Sequence, residues 1–230
     1  MLRTDFGRFK YLGFLAILSV TFELITNFTS ARLVTFWGVT VSASIYCFPM
    51  VFLISDILTE VYGYSQARNI LWISIFCRML AGVVVWLMLL IPPSPVFTND
   101  AAYQMVLSTG LRIAIAGLIA GFTGDIFNSY VLAKMKIWNN GKQLWARFVM
   151  STFLGEGVNS ILFFTVAFYG VVPMHDLVPG ILMSWLAKTL WEIMALPLTY
   201  PLVRWLKKSE GIDHYDRHTN FNPLITDATQ

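Results

Sequence analysis

Several ionisable residues of this 230-residue chain sit inside long apolar runs, where such residues are rare. The stretch 48–68 (FPMVFLISDILTEVYGYSQAR) begins as a segment suited to lipid. It then carries Asp56 and Glu60 four residues apart, on one face of a helix. A charged side chain at the centre of a membrane span costs about 2.5–3.5 kcal/mol on insertion scales. Two in one turn must face a cavity, a partner or a substrate. Glu23, Arg78, Asp125, Glu156, Lys188 and Glu192 have similarly apolar surroundings. Two runs share a hexapeptide pattern, Gly124-Asp125-Ile126-Phe127-Asn128-Ser129 and Gly155-Glu156-Gly157-Val158-Asn159-Ser160. Each sets an acid and an asparagine three residues apart on one helix face. Carboxylate and amide together suit a planar heterocycle with several N–H donors and a carbonyl.

Composition decides what must position these groups. Hydrophobic residues make up 57% of the chain and charged ones only 13%, against about 25% charged in a soluble domain. The chain therefore reads as an all-α integral membrane protein. Six apolar segments are each long enough to span a bilayer: 11–27, 39–62 and 71–91, then stretches within 103–133, 144–170 and 177–205. The first resembles a signal peptide, but Glu23 interrupts its apolar core and no small-residue cleavage site follows, so it reads as an uncleaved helix. Arg3, Arg8 and Lys10, then Arg68, then Lys134, Lys136, Lys142 and Arg147, and finally Arg204, Lys207 and Lys208 load every second connection with positive charge. The positive-inside rule places both termini in the cytoplasm. Residues 1–206 form the expected transport domain, and 207–230 a polar cytoplasmic tail.

Counted from these basic markers, the acids and bases fall roughly 12–24 Å deep at 1.5 Å per residue, a layer near the membrane midplane to which every span contributes. Asp125 and Glu156 each lie nine residues from a marker (Lys134 and Arg147), so the repeat predicts two acids lining one cavity from antiparallel helices. Small-molecule carriers bind cargo at this level. Lys188 and Glu192, spaced i,i+4, are expected to pair, and Arg78 to serve another acid. Six acids against two bases leave a formal surplus of negative charge, which points to a cationic ligand, a proton or both. A stripe of small residues (Gly110, Ala114, Gly117, Gly121, Gly124) runs along one face of the fourth span and predicts close helix packing. Tyr46, Phe48, Trp72 and Phe163 are candidate stacking partners. Cys47 and Cys77 read as buried thiols, and His214 and His218 as solvated rather than metal ligands. Neither a cofactor nor nucleic-acid binding is indicated, and no ATP-binding loop is present.

The runs FPMVFLISDILTEVYGYSQAR, DIFNSYVLAKMK, RFVMSTFLGEGVNS and KTLWEIMALPLTYPLV, with the tail KKSEGIDHYDRHTNFNP, resemble the bacterial queuosine precursor transporter family, formerly called vitamin uptake transporters. The resemblance covers about residues 10–224. It implies a six-helix carrier of the bacterial inner membrane for 7-cyano- or 7-aminomethyl-7-deazaguanine, precursors of a modified tRNA base. It also implies a likeness to the substrate-binding subunits of energy-coupling-factor transporters, without an ATPase module. Asn159 stands where many members have aspartate, and Glu156 one turn earlier would supply an acid. The expected substrate-binding set is Asp125, Asn128, Glu156, Asn159, Lys188 and Glu192, with Asp56, Glu60 and Arg78 as a gate or supporting layer. The expected partners are a deazapurine and the lipid bilayer, with a homodimer left open. Two rival readings are the substrate-binding subunit of an ATPase-coupled vitamin transporter and an intramembrane aspartyl protease. The first lacks the Ala-xxx-Ala pair expected in the first helix (Ala16, then Val20). The second has only a loose Gly-x-Gly-Asp echo at 121–125 and no Tyr-Asp partner within the spans.

Overall fold

The computed structural model describes residues 7–30, 32–36, 39–107, 111–170 and 173–224. Helix α1 (Leu12–Thr29) leads into an antiparallel hairpin of β1 (Leu33–Phe36) and β2 (Val39–Ser42), with Leu33 opposite Ser42. After a single 3-10 turn (Ala43–Tyr46) come α2 (Phe48–Tyr62), α3 (Tyr64–Leu89), the short α4 (Asp100–Leu107), α5 (Leu111–Trp138), α6 (Leu144–Phe168) and α7 (Met174–Glu210). Five of these are long and apolar enough to cross a membrane: α1, α3, residues 115–138 of α5, α6 and α7.

The second expected span is corrected. Residues 39–62 are not one helix, because their first third forms β2 and the 3-10 turn. What remains, α2, has 15 residues and is about 22 Å long at 1.5 Å per residue. Gly63, at φ +89°, separates it from α3, and Pro49 sits in its first turn, where a missing N–H costs nothing. Helix α5 runs past the expected end at 133 to Trp138. Helix α7 continues to Glu210 with Pro179, Pro197 and Pro201 inside it, so its end lies beyond the expected tail boundary at 206.

The molecule is inverted relative to a water-soluble protein. Phe76, Trp86, Met194 and Leu198 are exposed, whereas Glu23, Asp56, Glu60, Arg68, Asp125, Lys136, Arg147 and Glu156 are buried. Apolar surface on this scale needs lipid to cover it, and buried charges need partners.

The repeated hexapeptide is the contact that joins α5 to α6. A Cβ at Gly124 would lie 2.8 Å from Asn159 Cβ and 3.1 Å from the Gly155 carbonyl. Reciprocally, a Cβ at Gly155 would lie 2.7 Å from Asn128 Cβ and 3.1 Å from the Gly124 carbonyl. Each glycine thus seats the other helix's asparagine, and backbone meets backbone at the crossing.

Helix ends and the chain after α7 close the basic end. Glu210 accepts from the Lys10 and Tyr11 backbone N–H groups at 3.0 and 2.8 Å and from Tyr62 Oη at 2.8 Å, which ties the start of α1 and the end of α2 to the end of α7. Residues 211–224 then lie back over the bundle. Asp216 accepts the Tyr64 N–H, Arg68 donates to the Asn220 and Asn222 carbonyls at 2.8 Å, and Trp72 Nε1 donates to the Pro223 carbonyl at 2.9 Å. His214 packs on Gly63, and Tyr215 on Gly141. The polar segment after α7 is a docked strap over residues 211–224, in which His214 is half-buried and His218 exposed.

Candidate functional site

A cavity of about 680 Å³ opens among the halves of the helices remote from Glu210. Its walls come from the end of α1 (Thr26, Asn27), the hairpin and 3-10 turn (Ser42, Ser44), the start of α2 (Phe48), the second half of α3, and α5 at Gly117–Ala120. The later half of α6 (Phe163, Phe164) and the earlier half of α7 (Ser184) complete it. Its polar floor is Glu23, Arg78, Asn159, Ser160 and Lys188. The volume lies within the roughly 300–1,000 Å³ typical of small-molecule sites.

Two ion pairs build this floor. Arg78 Nη1 is 2.8 Å from Glu23 Oε2, so the acid that α3 serves is on α1. A Cβ at Gly121 would lie 3.0 Å from Arg78 Nη1, so this glycine of the small-residue stripe gives the guanidinium a bare backbone to rest on. Lys188 Nζ donates to Glu156 Oε2 at 2.9 Å and to Asn159 Oδ1 at 3.3 Å, and stands 3.7 Å from the centre of the Phe48 ring. The expected Lys188–Glu192 pair is therefore corrected. Spacing along one helix permitted it, but the shorter route runs across to α6, where the acid of the hexapeptide points at α7.

The expected binding residues divide into two layers. Asn159 and Lys188 line the cavity, whereas Asp125, Asn128, Glu156 and Glu192 do not. Glu156 stands behind Lys188. Asp125 lines a separate small gap with Glu23, Ser19 and Ser55, and Asn128 Nδ2 donates to Asp56 Oδ1 at 2.5 Å. Glu192, also buried, lies within charge range of Asp56. The expectation that Asp125 and Glu156 line one cavity is not met, although the two acids lie within charge range of each other. Arg78, assigned to the supporting layer, is itself in the cavity wall, and Glu23 was missing from the expected site. Of the aromatic candidates, Phe48 and Phe163 reach the cavity. Trp72 stacks on Phe122 under the strap, and Tyr46 is largely exposed.

Asp56 and Glu60 lie deeper toward the basic end. Asp56 is also approached by Thr152 Oγ1 at 3.4 Å. Glu60 Oε1 meets Arg147 Nη2 at 2.7 Å, Lys207 Nζ at 2.6 Å and Lys136 Nζ at 3.5 Å, and Asp213 of the strap bridges the two lysines at 2.7 and 2.8 Å. One carboxylate thus holds the ends of α2, α5, α6 and α7 together and closes the bundle below the cavity. Among the described residues no cluster of His, Cys, Asp and Glu could hold a metal ion. Cys47 and Cys77 are free thiols, half-buried rather than buried.

Apolar outer faces, a buried charged layer and a cavity with a polar floor are the marks of a helical membrane protein with room for a small solute. The chain matches the family described as "Putative vitamin uptake transporter" over residues 42–202. It belongs to that transporter family, the one to which the sequence resemblance points. Among curated proteins it is 22% identical over 205 residues to "Probable queuosine precursor transporter" of Bacillus subtilis, covering 89% of this chain and 86% of that one. It is 22% identical over 162 residues to "Queuosine precursor transporter" of Escherichia coli, covering 70% and 71%. A Haemophilus influenzae relative, "Probable queuosine precursor transporter", is 25% identical over 125 residues, covering 53% and 49%. No solved structure is a significant match to the chain.

Proposed function

We propose that this chain carries a queuosine precursor, 7-cyano- or 7-aminomethyl-7-deazaguanine, into the cell across the bacterial inner membrane. The reading is carried by one observation, a largely apolar cavity whose floor presents a carboxylate, an amide, a guanidinium and an ammonium group (Glu23, Asn159, Arg78 and Lys188). A deazaguanine has a ring N–H and an exocyclic amine on one edge, which a carboxylate accepts together, and a carbonyl that an amide or ammonium donor meets. Phe48 and Phe163 supply flat apolar surface for the ring. In this account Asn159 and Lys188 touch the cargo, while Glu156, Asn128, Asp125 and Glu192 hold the floor from behind.

The names of the relatives support the cargo class, and they favour transport over an ATPase-coupled subunit or a protease. The topology proposed is six spans with both termini cytoplasmic, α2 being a short crossing whose outer end is completed by the hairpin. The cavity then faces outward, and the Glu60 network with the strap closes the cytoplasmic side. Cells unable to make the deazaguanine core should form queuosine in tRNA from low external precursor only when this protein is present. Equal tRNA modification with and without it would overturn the proposal.

A further inference from the structure

The buried layer holds more acid than cation. Glu23 is matched by Arg78, Glu156 by Lys188 and Glu60 by three cations, whereas Asp56, Asp125 and Glu192 have no ion-pair partner among the described residues. Three unmatched carboxylates cannot all stay ionised in such a medium. Asp125 is the one placed next to the cavity floor. It is 2% exposed and lines the gap it shares with Glu23. Its carboxyl thus faces the same gap as that of Glu23, whose charge Arg78 already matches.

Its surroundings hold the two halves of a second arrangement. Asp125 Oδ1 is buried without a hydrogen-bond partner, and so are Nε and Nη2 of Arg78, whose Nη1 is spent on Glu23. Arg78 lies within charge range of Asp125 and rests on the bare backbone of Gly121, one turn before it. An ionised Asp125 would accept those free N–H groups, as guanidinium and carboxylate do wherever they meet. The charged groups around Asp125 are Glu23 from α1, Arg78 from α3, and Glu156 from α6, the last neutralised by Lys188 of α7. From α2 it meets Ser55, Val51 and Leu58.

Resting on the carrier reading above, we propose that Asp125, with Glu23 and Arg78, is a proton-binding site that couples inward movement of the cargo to entry of a proton. With Asp125 protonated, Arg78 stays on Glu23, in the 2.8 Å pair described above, and the cavity wall is complete. Loss of the proton draws Arg78 from Glu23 to Asp125 and unmakes that wall. Proton and cargo therefore favour each other's binding, and each lowers the other's dissociation constant by the same factor. Only the carboxyl O–H bond of Asp125 forms and breaks; the proton arrives from the outer side and leaves on the cytoplasmic side.

The test uses the full-length protein in proteoliposomes with tritiated 7-cyano-7-deazaguanine as probe. Wild type should exchange the probe without any gradient, and should accumulate it several-fold above equilibrium when the outside is more acidic. A protonophore should abolish that accumulation. D125N should still exchange the probe, if more slowly, yet accumulate none. Exchange by wild type without acid-driven accumulation would overturn the coupling and leave the carrier reading standing. Absence of exchange would instead strike the carrier reading. The proton site is then judged by infrared spectroscopy of wild-type protein labelled with carboxyl-¹³C aspartate. A label-shifted carboxylic-acid band that disappears on alkalinisation and persists in D56N supports the site, and needs no substitution at Asp125. No such band, or its loss in D56N, overturns it.

Discussion

Replacing Lys188 by methionine keeps the volume and apolar stem of the side chain and removes the charge that holds Glu156. The structure gives Glu156 one donor, Lys188 Nζ at 2.9 Å, and leaves its other oxygen buried without a partner. K188M therefore strands a fully buried carboxyl. Breaking a buried pair from one side typically costs about 3–5 kcal/mol. The lower end, about 3 kcal/mol, is expected here because Glu156 can relieve the charge by taking up a proton. E156Q should cost less, about 2 kcal/mol, since the glutamine carbonyl still accepts from Lys188 and only the carboxylate's charge is lost from that contact. The double variant E156Q/K188M strands no charge. It should be more stable than K188M alone, with a coupling energy of at least about 2 kcal/mol. Reversible unfolding in mixed micelles with increasing SDS measures all four corners of the cycle. Transport separates structure from function, because the double variant should fold yet carry little precursor without the Lys188 ammonium in the cavity wall. Additive single effects, or a double variant with wild-type uptake, would refute the reasoning.

Three other outcomes follow from the same contacts. Valine at Gly124 or Gly155 would force the α5–α6 crossing apart, and each should destabilise by about 1–3 kcal/mol in the same SDS titration, with the pair less than additive because the first already separates the helices. The strap should detach in acid. Burial works to raise Asp216, but hydrogen bonds from His214, the Tyr64 N–H and Thr219 outweigh it, and Lys136 and Lys207 do the same for Asp213, so both carboxyls lie below their ordinary values. Depressed folded values mean that their stabilisation is present above the unfolded value of about pH 4 and is lost as pH falls through the folded ones; the amide protection of residues 211–224, relative to the intrinsic exchange rate at each pH, should fall only in that acid window. Reporter fusions after residues 30, 97 and 174 should read as outside, and those after 66, 140 and 215 as inside; two reversals would end the six-span topology.

Much of this layout was legible in the chain itself. Hydropathy located α1, α6 and α7 closely and α3 to within a few residues at its end though seven short at its start. Depth counting picked out acids and bases that the structure buries, while Arg68, Lys136 and Arg147, counted with the basic connections, are buried too. Periodicity could not say which partner each charge takes. Lys188 had an acid one turn away on its own helix, yet the cross-helix distance to Glu156 is what decides the pair. The hexapeptide was visible as a repeat, but its meaning lay in the glycines: Gly124 and Gly155 admit Asn159 and Asn128, and this drives the acids between them away from the cavity. The hairpin was missed because the apolar residues around Gly38 merged with α2 into one hydrophobic run, although LVTFWGVTVS carries the β-branched pattern of two short strands. The strap was missed because Asp213, Asp216 and Asn220 look solvated until the buried Lys136, Tyr64 and Arg68 that bind them are located.

The central claim is that the cavity above Asn159 and Lys188 holds a queuosine precursor. Equilibrium binding of tritiated 7-cyano-7-deazaguanine to purified protein, wild type against N159L, tests it most directly. The account predicts saturable binding of one probe per chain, displaced by the 7-aminomethyl form and not by vitamins. In N159L the dissociation constant should rise at least about tenfold, the equivalent of about 1.4 kcal/mol. Saturable binding of equal affinity in both proteins, or no saturable binding by a folded wild type, would contradict it.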